Sequence, residues 1–167
     1  IAKMDGDSLP VSAFTECIDG QFVTGASAYE KRGTAVMVPE WDAEKCIQCN
    51  NCAFVCSHAT IRPFLLSDDE VKAAPANIKL ADMKPKGGDY KYTMSVSPLD
   101  CMGCGECITV CPTAAISMVP QESQADEQPV FNYLVANVGK KDIGLSDITP
   151  KGSQFNQPLL EFSGSCA

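Results

Sequence analysis

Ten cysteines stand in this chain of 167 residues, and eight of them fall into two runs of identical form. Cys46, Cys49, Cys52 and Cys56 make the first, and Cys101, Cys104, Cys107 and Cys111 the second, each spaced C-x-x-C-x-x-C-x-x-x-C. Thiolates are soft ligands, and cysteines at i, i+3 and i+6 let one loop wrap three corners of a four-iron cube. A single C-x-x-C would fit zinc or a redox dithiol equally well. Zinc sites usually join two such hooks and have no use for a third cysteine three residues on. Disulfide frameworks scatter their cysteines more widely than this, so the regularity favours two [4Fe–4S] clusters over a secreted disulfide scaffold.

The fourth cysteine of each run follows on a short helix and points away from the cube its neighbours wrap. It is placed to reach a second cube built by the other run, the cross-ligation known from two-cluster ferredoxins. Cluster I is therefore expected on Cys46, Cys49, Cys52 and Cys111, and cluster II on Cys101, Cys104, Cys107 and Cys56. Gly103 and Gly105 let the second loop curl and aim N–H groups at sulfur. Asn50 and Asn51, which tolerate left-handed backbone, are expected to serve the first loop in the same way. Ile47, Phe54, Val55, Ile108 and Val110 are expected to shield the cubes from water, a lever on potential. Ser57 follows Cys56 where Pro112 follows Cys111, so the first helix is expected to stop by serine bonding nearby backbone. His58 replaces no missing ligand and is read as structural or surface; Cys17 has no local partner and is read as a small free hydrophobe.

The elements that must hold these loops also repeat. Residues 46–61 and 101–116 align at an offset of 55, with the four cysteines, Val55/Val110, Ala59/Ala114 and Ile61/Ile116 in common. Each copy reads as a cysteine loop, a short helix carrying the third cysteine, and a strand entered through A-x-I. Strand candidates Thr34–Val38 and Tyr92–Val96 precede the two copies, the first bounded by Gly33 and Pro39. Between the copies, Ser67 and Glu70 have capping-box spacing and start a helix through about Ala73, stopped by Pro75. Residues 82–91 read as an exposed turn-rich loop. Apolar residues at 130, 131, 134, 135 and 138 predict a helix over Val130–Val138, after Pro129 and closing at Gly139. Residues 1–33 read as an extended or looping segment, and residues 140–167 as mostly extended.

Composition narrows the class. Hydrophobic residues are 45% of the chain but aromatics only 7%, a modest core that metal crosslinks would reinforce. The net charge of −8 argues against nucleic acid, and two oxidised cubes with their thiolates would deepen it to about −12. The longest apolar run, Ile108–Pro120, is too short for a membrane span and carries two prolines. Thiolate sites of this kind belong in a reducing compartment, so a cytoplasmic location is expected, or a hydrogenosome in a eukaryote. The chain starts IAKMDGDSLP without methionine and stops at FSGSCA, so it is expected to be a piece of a longer polypeptide.

Three stretches extend the reading. EKRGTAVMVPEWDAEKCIQCNNCAFVCSHATIRPF, SPLDCMGCGECITVCP and KGSQFNQPLLEFSGSCA together resemble pyruvate:ferredoxin (flavodoxin) oxidoreductase across nearly the whole chain. The resemblance implies an α+β fold, a bacterial two-[4Fe–4S] ferredoxin-like pseudo-two-fold repeat with an inserted helix and loop and extended terminal segments. It implies a leading segment over 1–33, the ferredoxin-like domain over 34–119 with its insertion at 62–91, and an extension over 120–167 toward an absent thiamine diphosphate domain. In the intact enzyme, pyruvate and CoA would give acetyl-CoA and CO2. Electrons would pass along three clusters to an external ferredoxin or flavodoxin, the medial and distal clusters lying in this segment. Cys166 matches the first cysteine of a hook for the third cluster, beside the thiamine diphosphate and Mg2+, and would be a ligand only in the intact chain. The partners implied are the other domains of the same polypeptide, the external carrier and a second copy in a homodimer. A free-standing electron carrier and a domain of another 2-oxoacid oxidoreductase are the alternatives.

Overall fold

The computed structural model describes residues 5–21, 31–84 and 89–156 of the chain. Cys166 and part of each terminal segment and of the 82–91 loop lie outside them. Two small sheets carry the molecule. Strand β1 (Met37–Trp41) pairs antiparallel with β5 (Ile116–Pro120). Strand β4 (Lys91–Val96) lies between β2 (Ile61–Leu66) and the two-residue β3 (Ala81–Asp82), antiparallel to both. Trp41 stands opposite Ile116 and Ile61 opposite Val96. Since Val96 lies 55 residues after Trp41 and Ile116 lies 55 after Ile61, the two ladders share one register under the sequence offset.

Strand β1 runs three residues later than the span expected from the sequence, because Pro39 sits inside it instead of ending it. The flanking bonds Gln121 N to Val36 O (3.0 Å) and Asp42 N to Ala115 O (2.8 Å) make Pro39–Met118 a pair that exchanges no ladder bonds. A proline there removes no needed donor. The same holds for Pro63 opposite Met94 on the edge strand β2, where Ser97 N donates to Thr60 O at 2.7 Å.

Helix α1 (Asn51–Phe54) carries Cys52 and α3 (Glu106–Thr109) carries Cys107, each a single turn. Helix α2 (Asp68–Ala73) opens on the Ser67–Glu70 capping box with both of its bonds made. Helix α4 covers Glu127–Asn137, earlier than the expected span, with Pro129 inside its first turn, where no intrahelical N–H bond is lost. The leading segment holds short 3-10 turns at Gly6–Ser8 and Val11–Cys17, and one reading is corrected: a further helix, α5 (Pro150–Asn156), lies where mostly extended chain was expected. Its signal was present in Thr149-Pro150: Thr149 Oγ1 accepts from Gly152 N at 3.1 Å, and proline suits the first helical position.

Strand β2 is buried on both faces, which explains why it reads as a continuous apolar run around Arg62. Ile61 and Leu65 join Trp41, Tyr92, Met94, Val96, Ile116, Cys52 and Cys107 in the core between the sheets and the cysteine loops. Phe64 and Leu66 face the other way, onto Val130, Leu134 and Val138 of α4 and its end. Cys52 and Cys107 thus form part of the main core, with Cys46, Cys56 and Cys111 packed against it. Among the described residues no helix is long and apolar enough to cross a membrane.

Candidate metal centre

Three backbone positions in each copy take left-handed φ: Gln48, Asn50 and Ala59 in the first, Gly103, Gly105 and Ala114 in the second. Each pair is 55 residues apart, so both loops follow one path with different residues. Gly103 is required by contact as well as by φ, since a Cβ there would lie 2.9 Å from the Met37 carbonyl oxygen. Asn50 serves as the sequence suggested, but Asn51 does not; it opens α1, and its place is taken by Gln48. Gln48 is fully buried and bonded both ways, Nε2 donating to Asp82 O and Lys84 N donating to Oε1, each at 2.7 Å. Asn50 is fixed by Tyr92 OH donating to Oδ1 at 2.8 Å and by its own Nδ2 on Lys151 O at 3.2 Å. The insertion and α5 are thereby stitched over the first loop.

The cysteines surround two hollows. One is lined by Cys46, Cys49, Cys52 and Cys111, with Ile47, Asn50, Met94, Thr113, Ala115 and Ile116. The other is lined by Cys56, Cys101, Cys104 and Cys107, with His58, Thr60, Ile61, Met102 and Gly105 among its neighbours. Each therefore has three thiols from one run and one from the other. Among the described residues no three His, Cys, Asp or Glu side chains converge on a point as a single ion needs. No disulfide joins any of the nine described cysteines, Cys17 included.

Backbone donors point at the sulfurs in matching fashion. Gln48 N reaches Cys46 Sγ at 3.3 Å and Gly103 N reaches Cys101 Sγ at 3.4 Å. Thr60 N reaches Cys56 Sγ at 3.4 Å and Ala115 N reaches Cys111 Sγ at 3.2 Å. Burial pushes the thiols of Cys52 and Cys107, the third of each run, up to about 12, and neighbouring cysteines add to this. Cys101 is also raised by burial. Burial would raise Cys111 too, but the N–H groups of Thr113, Ala115 and Ile116 and the Thr113 hydroxyl outweigh it and hold it below the usual thiol range. Four thiols around each hollow, with N–H groups aimed at sulfur, match the donor set of a [4Fe–4S] cube. Such a group stores and releases one electron at a time.

Two expectations fail here. Phe54 is 57% exposed and lines neither hollow, so it does not shield the loops from water within this chain; Ile47 lines the first hollow but is itself 49% exposed, and Val55, Ile108 and Val110 are half-buried. The side chains that do cover the first loop, Trp41, Tyr92 and Met94, come from the strands. Ser57 does not end α1, which has already stopped at Phe54 with Val55 as its cap, and α3 likewise stops before Pro112. Ser57 Oγ lies 3.1 Å from His58 Nδ1 instead.

Comparison with known proteins agrees with this geometry. A 4Fe-4S dicluster domain matches residues 45–115, and a domain of unknown function matches residues 1–35. The chain is 51% identical to a pyruvate-flavodoxin oxidoreductase of Enterobacter agglomerans over 98% of its length. It is 46% identical to the pyruvate:ferredoxin oxidoreductase of Moorella thermoacetica over 100% of its length, and 45% identical to a pyruvate dehydrogenase [NADP(+)] of Cryptosporidium parvum over 99%. It spans 14% of the first two relatives and 9% of the third. The chain therefore belongs to the pyruvate-flavodoxin and pyruvate:ferredoxin oxidoreductase family, as a segment that carries its iron–sulfur dicluster domain.

Proposed function

We propose that this chain is the electron relay of a pyruvate:ferredoxin or pyruvate:flavodoxin oxidoreductase, holding two [4Fe–4S] clusters in crossed fashion. Cluster I is assigned to Cys46, Cys49, Cys52 and Cys111, and cluster II to Cys101, Cys104, Cys107 and Cys56. The observation that carries the assignment is the grouping of thiols around the two hollows, three from one run and one from the other in each. A pseudo-two-fold ferredoxin-like repeat is supported by the shared ladder register and by left-handed positions that recur at the offset of 55. In this reading residues 34–119 form the relay domain with its insertion at 62–91, residues 1–33 lead into it, and residues 120–167 lead toward the thiamine diphosphate domain.

The whole enzyme would convert pyruvate and CoA to acetyl-CoA, CO2 and a proton, with two electrons leaving singly. This segment's residues hold the relay, exclude water from it and set its potential through N–H donors and burial. Cys166 would join a third cluster in the intact chain, with thiamine diphosphate and Mg2+ beyond it. The final acceptor would be ferredoxin or flavodoxin, in a homodimeric enzyme of a reducing cytoplasm. The names of the pyruvate oxidoreductases matched support the substrate.

The test is anaerobic EPR with iron and sulfide analysis of the full-length polypeptide and its Cys56→Ala variant. Loss of the cluster held by Cys101, Cys104 and Cys107, with the Cys46/Cys49/Cys52 cluster intact, is the expected result. Loss of the latter instead would refute the crossed assignment.

A further inference from the structure

The two hollows repeat each other in backbone but differ in one buried hydroxyl. Thr60 is 4% exposed, and its Oγ1 lies 3.4 Å from Cys56 Sγ, while its N–H reaches the same sulfur at 3.4 Å. Thr60 lines the hollow that Cys56 shares with Cys101, Cys104 and Cys107, so the hydroxyl lies where a thiol of the first run joins the three of the second. The residue 55 positions later is Ala115, whose N–H makes the matching bond to Cys111 but which has no hydroxyl. A hydroxyl also reaches Cys111 there, but Thr113 Oγ1 is only half-buried and stands farther off, at 3.9 Å from Cys111 Sγ. Thr60 is therefore an asymmetry built into a repeated site.

A metal-bound thiolate has no proton, so between Thr60 and Cys56 only the hydroxyl could then donate. Hydrogen bonds to an ionised acceptor are the stronger kind, and burial removes water as a competitor. One-electron reduction of a cube adds a negative charge shared by its sulfurs. A donor fixed on a ligand sulfur stabilises the reduced form more than the oxidised form and so raises the potential. We propose that Thr60, whose hydroxyl is held against the Cys56 sulfur, is a positioning residue that raises the reduction potential of the cluster on Cys56, Cys101, Cys104 and Cys107 and leaves the other cluster untouched. This rests on the ligand assignment above.

The experiment is EPR-monitored potentiometry of the full-length, cluster-loaded polypeptide carrying Thr60→Val, which keeps the shape and removes the hydroxyl, or Thr60→Ser, which restores a hydroxyl. Cys56→Ala identifies the relevant midpoint as the one it abolishes. In Thr60→Val that midpoint is expected to fall by up to about tenfold in the equilibrium constant for reduction, about 59 mV for a one-electron couple. The other midpoints should stay in place, and Thr60→Ser should return the shifted one toward its original value. Iron content unchanged from the parent separates this effect from simple loss of the site. With iron unchanged, a midpoint that does not move, or all midpoints moving together, overturns the proposal while leaving the ligand assignment standing. If Cys56→Ala abolishes no cluster, the ligand assignment fails and the proposal falls with it.

Discussion

The two glycines of the second cysteine loop share a left-handed backbone but differ in the space around them. Gly103 has φ +70° and Gly105 φ +79°, so alanine at either would pay the left-handed cost, about 1–2 kcal/mol. At Gly105 nothing lies within 4 Å of the added Cβ, and the cost ends there. At Gly103 the Cβ would meet Met37 O at 2.9 Å and Ala35 Cβ at 3.2 Å, so β1 or the loop must shift, adding about 1–3 kcal/mol. The difference, about 2 kcal/mol, corresponds to about 30-fold in the population of an opened loop. The assay is anaerobic iron release to a chelator from the full-length protein, followed through the loss of cluster absorbance. Gly103→Ala should release iron about 30-fold faster than Gly105→Ala, and Gly105→Asn should resemble the parent, since Asn50 holds the same conformation in the first loop. Equal rates in the two alanine variants would refute the reasoning.

Burial of Cys52 and Cys107 gives a pH dependence with a definite sign. Both thiols are raised from 9.0 to about 12 in the folded chain, so the folded state favours their protonated form. In the cluster-free chain the resulting stability is complete below about pH 9 and is lost as pH rises toward about 12. The urea midpoint should fall across that window, and fall less in the Cys52→Ala/Cys107→Ala double variant; a midpoint that rises contradicts the assignment. Cluster assembly needs thiolates, so reconstitution competes with protons and should weaken as pH drops. Gln48→Ala removes two buried hydrogen bonds to the insertion and should cost about 1–3 kcal/mol. Hydrogen exchange at the Lys84 amide should rise by one to two orders of magnitude, about as that cost implies. Unchanged protection at Lys84 would mean that Gln48 does not hold the loop.

What could be read from the sequence was what is set by neighbours along the chain. The two cysteine runs, the single-turn helices carrying Cys52 and Cys107, the strands starting at Ile61 and Ile116, and the Ser67–Glu70 cap all depend on spacing and local turn chemistry. The offset of 55 even anticipates which backbone positions match, because a repeated loop must repeat its path. Tertiary contact decided the rest. Gln48 has no intrinsic preference for left-handed φ; it is held there by partners at Asp82 and Lys84, more than thirty residues away. Strand β1 extends through Pro39 only because its partner places that residue where no N–H is needed. Phe54 looks like a shield in sequence, yet it faces outward, since the single helical turn Asn51–Phe54 buries only the side carrying Cys52 and Ala53. The grouping of Cys111 with the first run and of Cys56 with the second was expected from the spacing, but the space that the sulfurs share is made by two antiparallel ladders that bring opposite ends of the repeat together.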